Sequence, residues 1–230
     1  MKDYQENIVP ALGQNSANVF IYNNENAKLK ILFVGNSIAK HGPKPSIGWD
    51  RDCGMAASSV DNDFVHLVVK MIMDKYDKNV SYGIAQAAQY ARTFFEKGPE
   101  CDYEEAKKFG ADIILMFYGA NVPKNYDTME NPPKTFAKAY EDMRNYLVKD
   151  GSLVYHSMGF YIRPVLEEAK IKVCEKYADT YIDINDIRIL PESHGLFNHP
   201  GDLGMKMLAD RFFEAIEDDI ARICKQKLSN

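Results

Sequence analysis

The stretch that decides the fold is residues 28–35, KLKILFVG, which is followed at once by Asn36 and Ser37. An apolar run that is rich in β-favouring residues and ends at a glycine is typical of a strand buried on both faces. Strands of this kind belong to parallel sheets, in which each crossover needs a helix. The rest of the chain should therefore alternate between strands and helices.

The alternation continues along the chain. Apolar residues at helical spacing predict a helix over 61–76, and short apolar runs predict strands at 79–85 and 111–118. Further helices are predicted within 87–108, over 135–148, over 164–177 and from about 201 past 216, with strands at 152–156 and 180–184. Because each helix must bury its apolar stripe against the sheet, this order predicts an α/β fold. We expect a doubly wound, flavodoxin-like three-layer sandwich with a mainly parallel five-stranded sheet.

The domain organisation follows from the absence of internal boundaries. The 230-residue chain contains no long linker, no low-complexity tract and no repeat, so one core should extend through residues 28–230. Residues 18–23, NVFIYN, also resemble a strand, and the Asn-rich tract after them could turn the chain back as a hairpin. We therefore predict an N-terminal extension over 1–27 that carries a β-hairpin.

Composition excludes several classes of partner. The chain has 28 basic and 33 acidic residues, a net charge of -5, and no Lys/Arg block that could follow a phosphate backbone, which argues against nucleic acid. No apolar stretch approaches the roughly 20 residues that cross a bilayer, so no membrane association is predicted. The first ten residues lack the apolar run of a secretory signal, which predicts a cytoplasmic protein unless a leader has been removed. No pattern indicates the oligomeric state.

The cysteines do not form a recognisable site. They are scattered without a Cys-x-x-Cys pair, which argues against both a zinc site and a disulfide framework, and they are Cys53, Cys101, Cys174 and Cys224. We therefore predict reduced thiols and no metal.

Reactive groups of a parallel α/β sheet gather beyond the carboxyl ends of its strands. This places Ser37, directly after the first strong strand, among the candidate nucleophiles. Position alone does not separate a nucleophile from a residue that turns the chain, because small polar residues commonly follow strands.

Four segments together resemble, in order, the sequence blocks of the SGNH (GDSL-like) hydrolase family. Residues 35–37, Gly-Asn-Ser, resemble its GDS block, Gly54 resembles the glycine of the second block, and residues 119–121, Gly-Ala-Asn, match the first three positions of G-x-N-D. Residues 198–201, Asn-His-Pro-Gly, match the latter half of D-x-x-H-P followed by glycine. The resemblance covers nearly the whole chain and implies the SGNH hydrolase fold and ester hydrolysis without a cofactor.

The resemblance also implies a role for each matched residue. Ser37 would attack the ester carbonyl, and His199 would take its proton as general base. The oxyanion would be met by the backbone N–H groups of Ser37 and Gly54 and by the side-chain amide of Asn121. Because His199 must be neutral to accept a proton, activity should fall on acidification through roughly pH 6 to 7.

Two positions depart from the family pattern. Val122 replaces the acid of the third block, and Leu196 stands where the family has the aspartate that orients the histidine. We therefore expect a Ser37/His199 dyad, with a main-chain carbonyl or a water holding the second ring nitrogen. This arrangement resembles that of some carbohydrate esterases in the family. Three carboxylates remain alternative orienting groups: Asp186, Glu192 and Asp202.

Each of the remaining candidates has a catalytic and a structural interpretation. His194 is the alternative base, whereas His66 and His156 fit structural roles better. His41 could contact substrate or anchor its loop, and Trp49 could stack on a sugar ring or pack in the core.

The function predicted from these residues is hydrolysis of a small acyl ester through an acyl-serine intermediate. An acetyl ester on a carbohydrate is the favoured substrate. A lipase-like or thioester hydrolase is the alternative within the same class. A non-catalytic carbohydrate-binding relative is the alternative of another class, because Leu196 and Val122 replace two acids.

Overall fold

The computed structural model describes residues 18–76 and 79–226. Six strands of this part of the chain form one sheet in the order β1-β3-β2-β4-β5-β6, in which β1 is antiparallel and the other five are parallel. The strands are β1 (Val19–Tyr22), β2 (Leu29–Gly35), β3 (Val80–Gln86), β4 (Ile113–Phe117), β5 (Leu153–Ser157) and β6 (Thr180–Ile182). The predicted parallel five-stranded sheet is confirmed, with one added antiparallel edge strand.

The helices fall between these strands as the alternation predicts. They are α1 (Phe64–Lys75), α2 (Ala88–Thr93), α3 (Glu104–Phe109), α4 (Phe136–Leu147), α5 (Pro164–Tyr177), α6 (Asn185–Arg188) and α7 (Asp202–Gln226). The helical stretch expected within 87–108 is split into α2 and α3. A 3₁₀ turn at Pro99–Cys101 separates them, because Gly98 and Pro99 cannot continue a regular helix.

The two faces of the sheet carry separate cores. Side chains alternate along β2, so Ile31 and Phe33 pack in the core that includes α1 and α7. Leu32 and Val34 pack in the opposite core, which includes residues of α2 to α5. This period-2 alternation in a strand buried on both faces produces the predicted three-layer sandwich.

The N-terminal strand pairs differently from the expectation. β1 runs antiparallel to β3, with Val19 opposite Ala85 and Tyr22 opposite Tyr82, and it is not adjacent to β2. The expected hairpin is therefore not formed within residues 18–27, because β3 already occupies that edge of β2. Residues 1–17, most of the predicted extension, lie outside the described residues.

The strand order places one crevice at the centre of the sheet. From β2 the chain first moves outward to β3 and then crosses back to β4 on the other side of β2. Ligands of doubly wound sheets bind at such a switch point, beyond the carboxyl ends of the strands. Ser37 follows β2 and Asn121 follows β4, so both lie at this edge.

Candidate active site

The Ser37 side chain emerges from a tight turn at the end of β2. The Asn36 carbonyl accepts hydrogen bonds from the N–H groups of Ala39 and Lys40, and the Ser37 carbonyl accepts one from Met55. The turn is therefore fixed by its own backbone hydrogen bonds and by one from Met55 in the loop that follows. Ser37 itself is 9% exposed, so the residue is largely buried but keeps some contact with solvent.

His199 lies in a loop that is closed by its own backbone just before α7. The Gly195 N–H donates to the His199 carbonyl over 2.6 Å, and the Gly201 N–H donates to the Ser193 carbonyl over 2.9 Å. A Cβ on Gly195 would lie 2.7 Å from the Gly201 Cα, so only glycine permits this approach. The loop fixes the backbone on both sides of His199.

The structure brings Ser37 and His199 together across 162 residues of sequence. The Ser37 Oγ lies 2.7 Å from the His199 Nε2, which is the distance of a short hydrogen bond. A general base must reach the proton that it abstracts in this way. The pair therefore has the geometry of a nucleophile and its base.

The other ring nitrogen of His199 contacts a main-chain carbonyl and a phenol. Its Nδ1 lies 2.8 Å from the Phe197 carbonyl oxygen and 3.1 Å from the Tyr161 hydroxyl. The Leu196 side chain, at the family's aspartate position, is 57% exposed. The alternative acids are also exposed, and two have other partners: Asp186 accepts from Arg211, and Asp202 accepts from Ser58.

Backbone strain is concentrated beside this histidine. Phe197 and Asn198 have φ angles of 60° and 57°, in the left-handed region. Asparagine tolerates that region, whereas for phenylalanine it costs on the order of 1–3 kcal/mol. The unusual turn brings the Phe197 carbonyl to the imidazole two residues later.

Burial lowers the pKa of His199 to about 4, because the charged ring would lose its hydration. The Phe197 carbonyl opposes this shift by stabilising the imidazolium, while the nearby His41 adds to it. His199 is only 1% exposed. At neutral pH the ring is therefore neutral and able to accept the Ser37 proton.

Of the predicted oxyanion donors, the Asn121 side chain is oriented to donate, whereas the Gly54 N–H already has another partner. The Asn36 side-chain amide donates to the Asn121 Oδ1 in a short contact, which leaves the Asn121 Nδ2 as the donor end of that side chain. The Gly54 N–H instead donates to the Asp63 carboxylate over 3.1 Å. The prediction that this N–H meets the oxyanion therefore does not fit the structure.

Gly54 has a packing reason to be glycine. A Cβ at this position would lie 2.5 Å from the Ile38 carbonyl oxygen and 2.8 Å from the Asp63 Cβ. Val122, the other departure from the family pattern, is fully buried in the core on the α2–α5 face of the sheet. An unpaired acid there would be costly, which accounts for an apolar residue in this chain.

The two residues predicted to contact substrate are buried. Trp49 is 0% exposed, donates its indole N–H to the His41 carbonyl over 3.2 Å, and packs edge-on against Phe197. His41 is 2% exposed, and its Nδ1 bonds the Gly42 carbonyl over 2.6 Å. A sugar cannot stack on Trp49 in this conformation. Both side chains act as anchors of the loop behind the site.

The remaining histidines have structural partners. His194, the alternative base, contacts the Arg188 carbonyl and the Asn198 side chain with its two ring nitrogens. His66 bonds the Asp63 carboxylate, and His156 contacts Tyr140 and Asp179.

Within residues 18–76 and 79–226 no group of three or more His, Cys, Asp or Glu side chains could hold a metal ion. None of the four cysteines, all of which lie within the described residues, forms a disulfide bond.

A small cavity lies beside the residues that flank Ser37. It has a volume of about 10 Å³ and is lined by Asn36, Ile38, Phe117, Tyr118, Ala120, Gly159 and Phe160. This is room for about one water-sized group. The buried Asn36 Oδ1 has no hydrogen-bond partner among the described residues.

Sequence reasoning did not find three contributors to the site. Asp63 holds the Gly54 N–H, Tyr161 contacts the His199 ring, and Phe197 supplies its carbonyl. Tyr161 carries no motif, and its only sequence signal is its position shortly after the end of β5. A carbonyl contribution has no side-chain signature at all.

No family model matches the chain, and no curated protein is significantly similar to it in sequence. Solved structures are similar in fold. A protein assigned as a GDSL-like lipase from Bacteroides ovatus superposes with a TM-score of 0.53 at 14% identity, over 83% of this chain and 98% of its own. The predicted resemblance to the SGNH hydrolases is thereby confirmed at the level of the fold.

Two family two carbohydrate esterases are also similar in structure. The enzyme from Clostridium thermocellum, solved in complex with cellohexaose, gives a TM-score of 0.52 at 14% identity, over 86% of this chain and 66% of its own. The enzyme from Cellvibrio japonicus gives 0.53 at 11% identity, over 88% of this chain and 63% of its own. This chain thus spans about two thirds of each esterase.

Among the described residues of this chain, no helix combines the length and apolar character needed to cross a membrane.

Proposed function

We propose that this protein is a carboxylic-ester hydrolase of the SGNH family with a Ser37/His199 dyad. The observation that carries the proposal is the 2.7 Å contact between the Ser37 Oγ and the His199 Nε2. A serine is a weak nucleophile until a neighbouring base takes its proton. Burial lowers the pKa of His199 to about 4, which keeps this base neutral at physiological pH.

The reaction follows from the positions of these groups. The Ser37 Oγ attacks the ester carbonyl carbon while its proton passes to the His199 Nε2. The resulting oxyanion would be met by the Ser37 N–H and the Asn121 Nδ2. The protonated Nε2 then gives its proton to the departing alkoxide, leaving an acyl-serine. A water, deprotonated by the same nitrogen, releases the acid and restores the serine.

The favoured substrate is an acetyl ester on a carbohydrate. A histidine held by a carbonyl instead of an acid is the arrangement expected from the resemblance to carbohydrate esterases, and two such enzymes share the fold. The cavity of about 10 Å³ lies beside Asn36 and Ile38, the chain neighbours of Ser37, although neither Ser37 nor His199 lines it. A lipase-like or thioester hydrolase would need a longer apolar groove at this place.

A non-catalytic carbohydrate-binding protein is disfavoured by the geometry of the dyad. Binding alone requires neither a serine bonded to a neutral imidazole nor strained backbone beside it. The two missing acids do not favour that alternative either. Val122 fills the core, and the Leu196 side chain is largely exposed.

The test is hydrolysis of p-nitrophenyl acetate and butyrate by the wild type, Ser37→Ala and His199→Ala, with acetylated xylo-oligosaccharide as a natural-type substrate. We expect the wild type to prefer acetate to butyrate. Each variant should lose at least about 1,000-fold in kcat, because neither dyad member works alone. Ser58→Ala is a matched control, because its hydroxyl bonds Asp202 on the surface.

Equal rates for the wild type and both dyad variants would contradict the proposal. If sugar then bound with an affinity that Ser37→Ala left unchanged, the binding protein would be the correct alternative. Faster hydrolysis of butyrate and longer esters than of acetate would instead favour the lipase-like enzyme.

A further inference from the structure

Tyr161 contacts the ring nitrogen of His199 that faces away from Ser37. Its hydroxyl lies 3.1 Å from the His199 Nδ1, and the two rings meet edge to face at a centroid distance of 5.9 Å. The residue belongs to the segment between β5 and α5, far in sequence from the loop of His199. Neither the sequence blocks nor the dyad assigns it a role.

The hydrogen-bond roles at Nδ1 follow from the tautomer that catalysis requires. For Nε2 to accept the Ser37 proton, the ring proton must be on Nδ1. That single N–H then faces two acceptors, the Phe197 carbonyl at 2.8 Å and the Tyr161 oxygen at 3.1 Å. It forms a three-centre hydrogen bond, and the Tyr161 oxygen acts as an acceptor.

The segment that carries Tyr161 is anchored on both sides by charged residues. Two residues before it, the Gly159 N–H donates to Glu167 over 2.9 Å and its carbonyl accepts from Arg188 over 3.2 Å. Two residues after it, the Arg163 Nε donates to Asp127 over 2.6 Å. The phenol is therefore fixed before substrate arrives, as a preorganised group must be.

We propose that Tyr161 is a positioning residue which, together with the Phe197 carbonyl, holds the His199 tautomer and stabilises the imidazolium formed during ester hydrolysis. The inference rests on the proposed function. The Phe197 carbonyl and the Tyr161 hydroxyl are both neutral, and together they would orient the ring as a carboxylate does in a triad. No net charge is then buried beside a ring that is 1% exposed.

The proton moves between only two groups of the protein during the reaction. The Ser37 proton passes to Nε2 as the Oγ–carbon bond forms, and it leaves with the alkoxide when the ester bond breaks. The Nδ1 proton stays on Nδ1 throughout, and Tyr161 neither gains nor loses a proton. Its contribution is the stronger hydrogen bond that its oxygen accepts while the ring is charged.

The kinetic test is Tyr161→Phe, which removes one oxygen and keeps the ring. We expect kcat for p-nitrophenyl acetate to fall roughly 10- to 100-fold, the size of a hydrogen bond to a charged group, with KM changed less than about twofold. Tyr155→Phe is the matched control, because it removes a buried phenol that bonds Asp219 on α7. This control should keep kcat within about twofold.

Two further readouts separate positioning from a general structural effect. In a His199→Ala background, Tyr161→Phe should leave the residual rate unchanged within about twofold, because its effect passes through the imidazole. In ¹⁵N-edited proton spectra, the Nδ1 proton of His199 should move upfield in Tyr161→Phe and stay in place in Tyr155→Phe.

Three outcomes would overturn the proposal: an unchanged kcat together with an unchanged Nδ1 proton signal, an equal loss in the His199→Ala background, or an effect confined to KM. If the wild type itself cleaves no ester, the proposed function fails. The proton spectra then still test the contact between Tyr161 and His199, so the two failures remain distinguishable.

Discussion

His199 and His156 are both buried histidines with both ring nitrogens engaged, yet their surroundings differ in one decisive respect. His156, on β5, contacts the Tyr140 hydroxyl over 3.1 Å and the Asp179 carboxylate over 2.8 Å. His199 contacts the Ser37 hydroxyl with one nitrogen, but its second nitrogen faces the Phe197 carbonyl and the Tyr161 hydroxyl instead of a carboxylate. By partner type alone, His156 has the more triad-like surroundings.

What separates the roles of the two histidines is where the hydroxyl that each one contacts lies in the fold. The hydroxyl on His156 belongs to Tyr140, which is fully buried between α4 and the sheet, and Asp179 is also tied to Arg144 over 2.6 Å. The hydroxyl on His199 belongs to Ser37, at the edge where ligands bind in this class of sheet. A carboxylate contact therefore stabilises the core at His156, whereas access to an edge serine gives His199 its proposed catalytic role.

The largest effect that would sharpen this comparison is on stability. We expect His156→Ala to lower the free energy of unfolding by about 2–4 kcal/mol, because it leaves a cavity and breaks a buried network. Its kcat, corrected for the folded fraction, should stay within about twofold of the wild type. Urea unfolding together with p-nitrophenyl acetate assays measures both quantities. A loss of kcat in His156→Ala comparable to that of His199→Ala would break the comparison.

The second effect is on the pH profile. Because burial lowers the pKa of His199 to about 4, the neutral base persists down to that pH, and kcat should be flat from about pH 5 to 8. Below about pH 4 the rate should fall tenfold per unit. The sequence alone predicts a fall through roughly pH 6 to 7, because it takes the pKa of a hydrated histidine. The burial of His199 moves the expected fall to lower pH.

Stability changes over the same range and must be measured beside the rate. The folded-state pKa lies below the unfolded value of about 6.5, so the unfolded state binds more protons as the pH falls from 6.5 to 4. This site alone then removes up to about 3 kcal/mol of stability. Circular dichroism at each pH gives the folded fraction. A drop in kcat between pH 6 and 7 with the fold intact would contradict a buried, neutral His199.

The smallest effect concerns the missing acid. Leu196→Asp restores the family's residue, but the side chain at this position is 57% exposed and does not take the place of the Phe197 carbonyl. We expect kcat to change by less than about threefold, measured with p-nitrophenyl acetate. A large gain would mean that the loop rearranges to let a carboxylate reach Nδ1.

The sequence predicted those features that depend on local pattern. Apolar runs and helical spacing located the parallel strands and the main helices, because burial on one or two faces leaves a period that can be read. The sequence blocks led to Ser37, Asn121 and His199, which the fold gathers at one edge or beside it. The predicted hairpin is not formed within residues 18–27, because strand pairing depends on which edge is free and β3 lies between β1 and β2.

What the sequence determined by itself is the alternation of strands and helices and the identity of a serine and a histidine in suitable blocks. Only the tertiary structure decided what surrounds them: the Gly54 N–H turned to Asp63, Trp49 buried under the loop, and Tyr161 and a strained carbonyl on the far side of His199. Periodicity is a local property that each segment carries alone. The direction of an N–H, the burial of a ring and the pKa of His199 depend on groups distant in sequence, which meet only when the chain has folded.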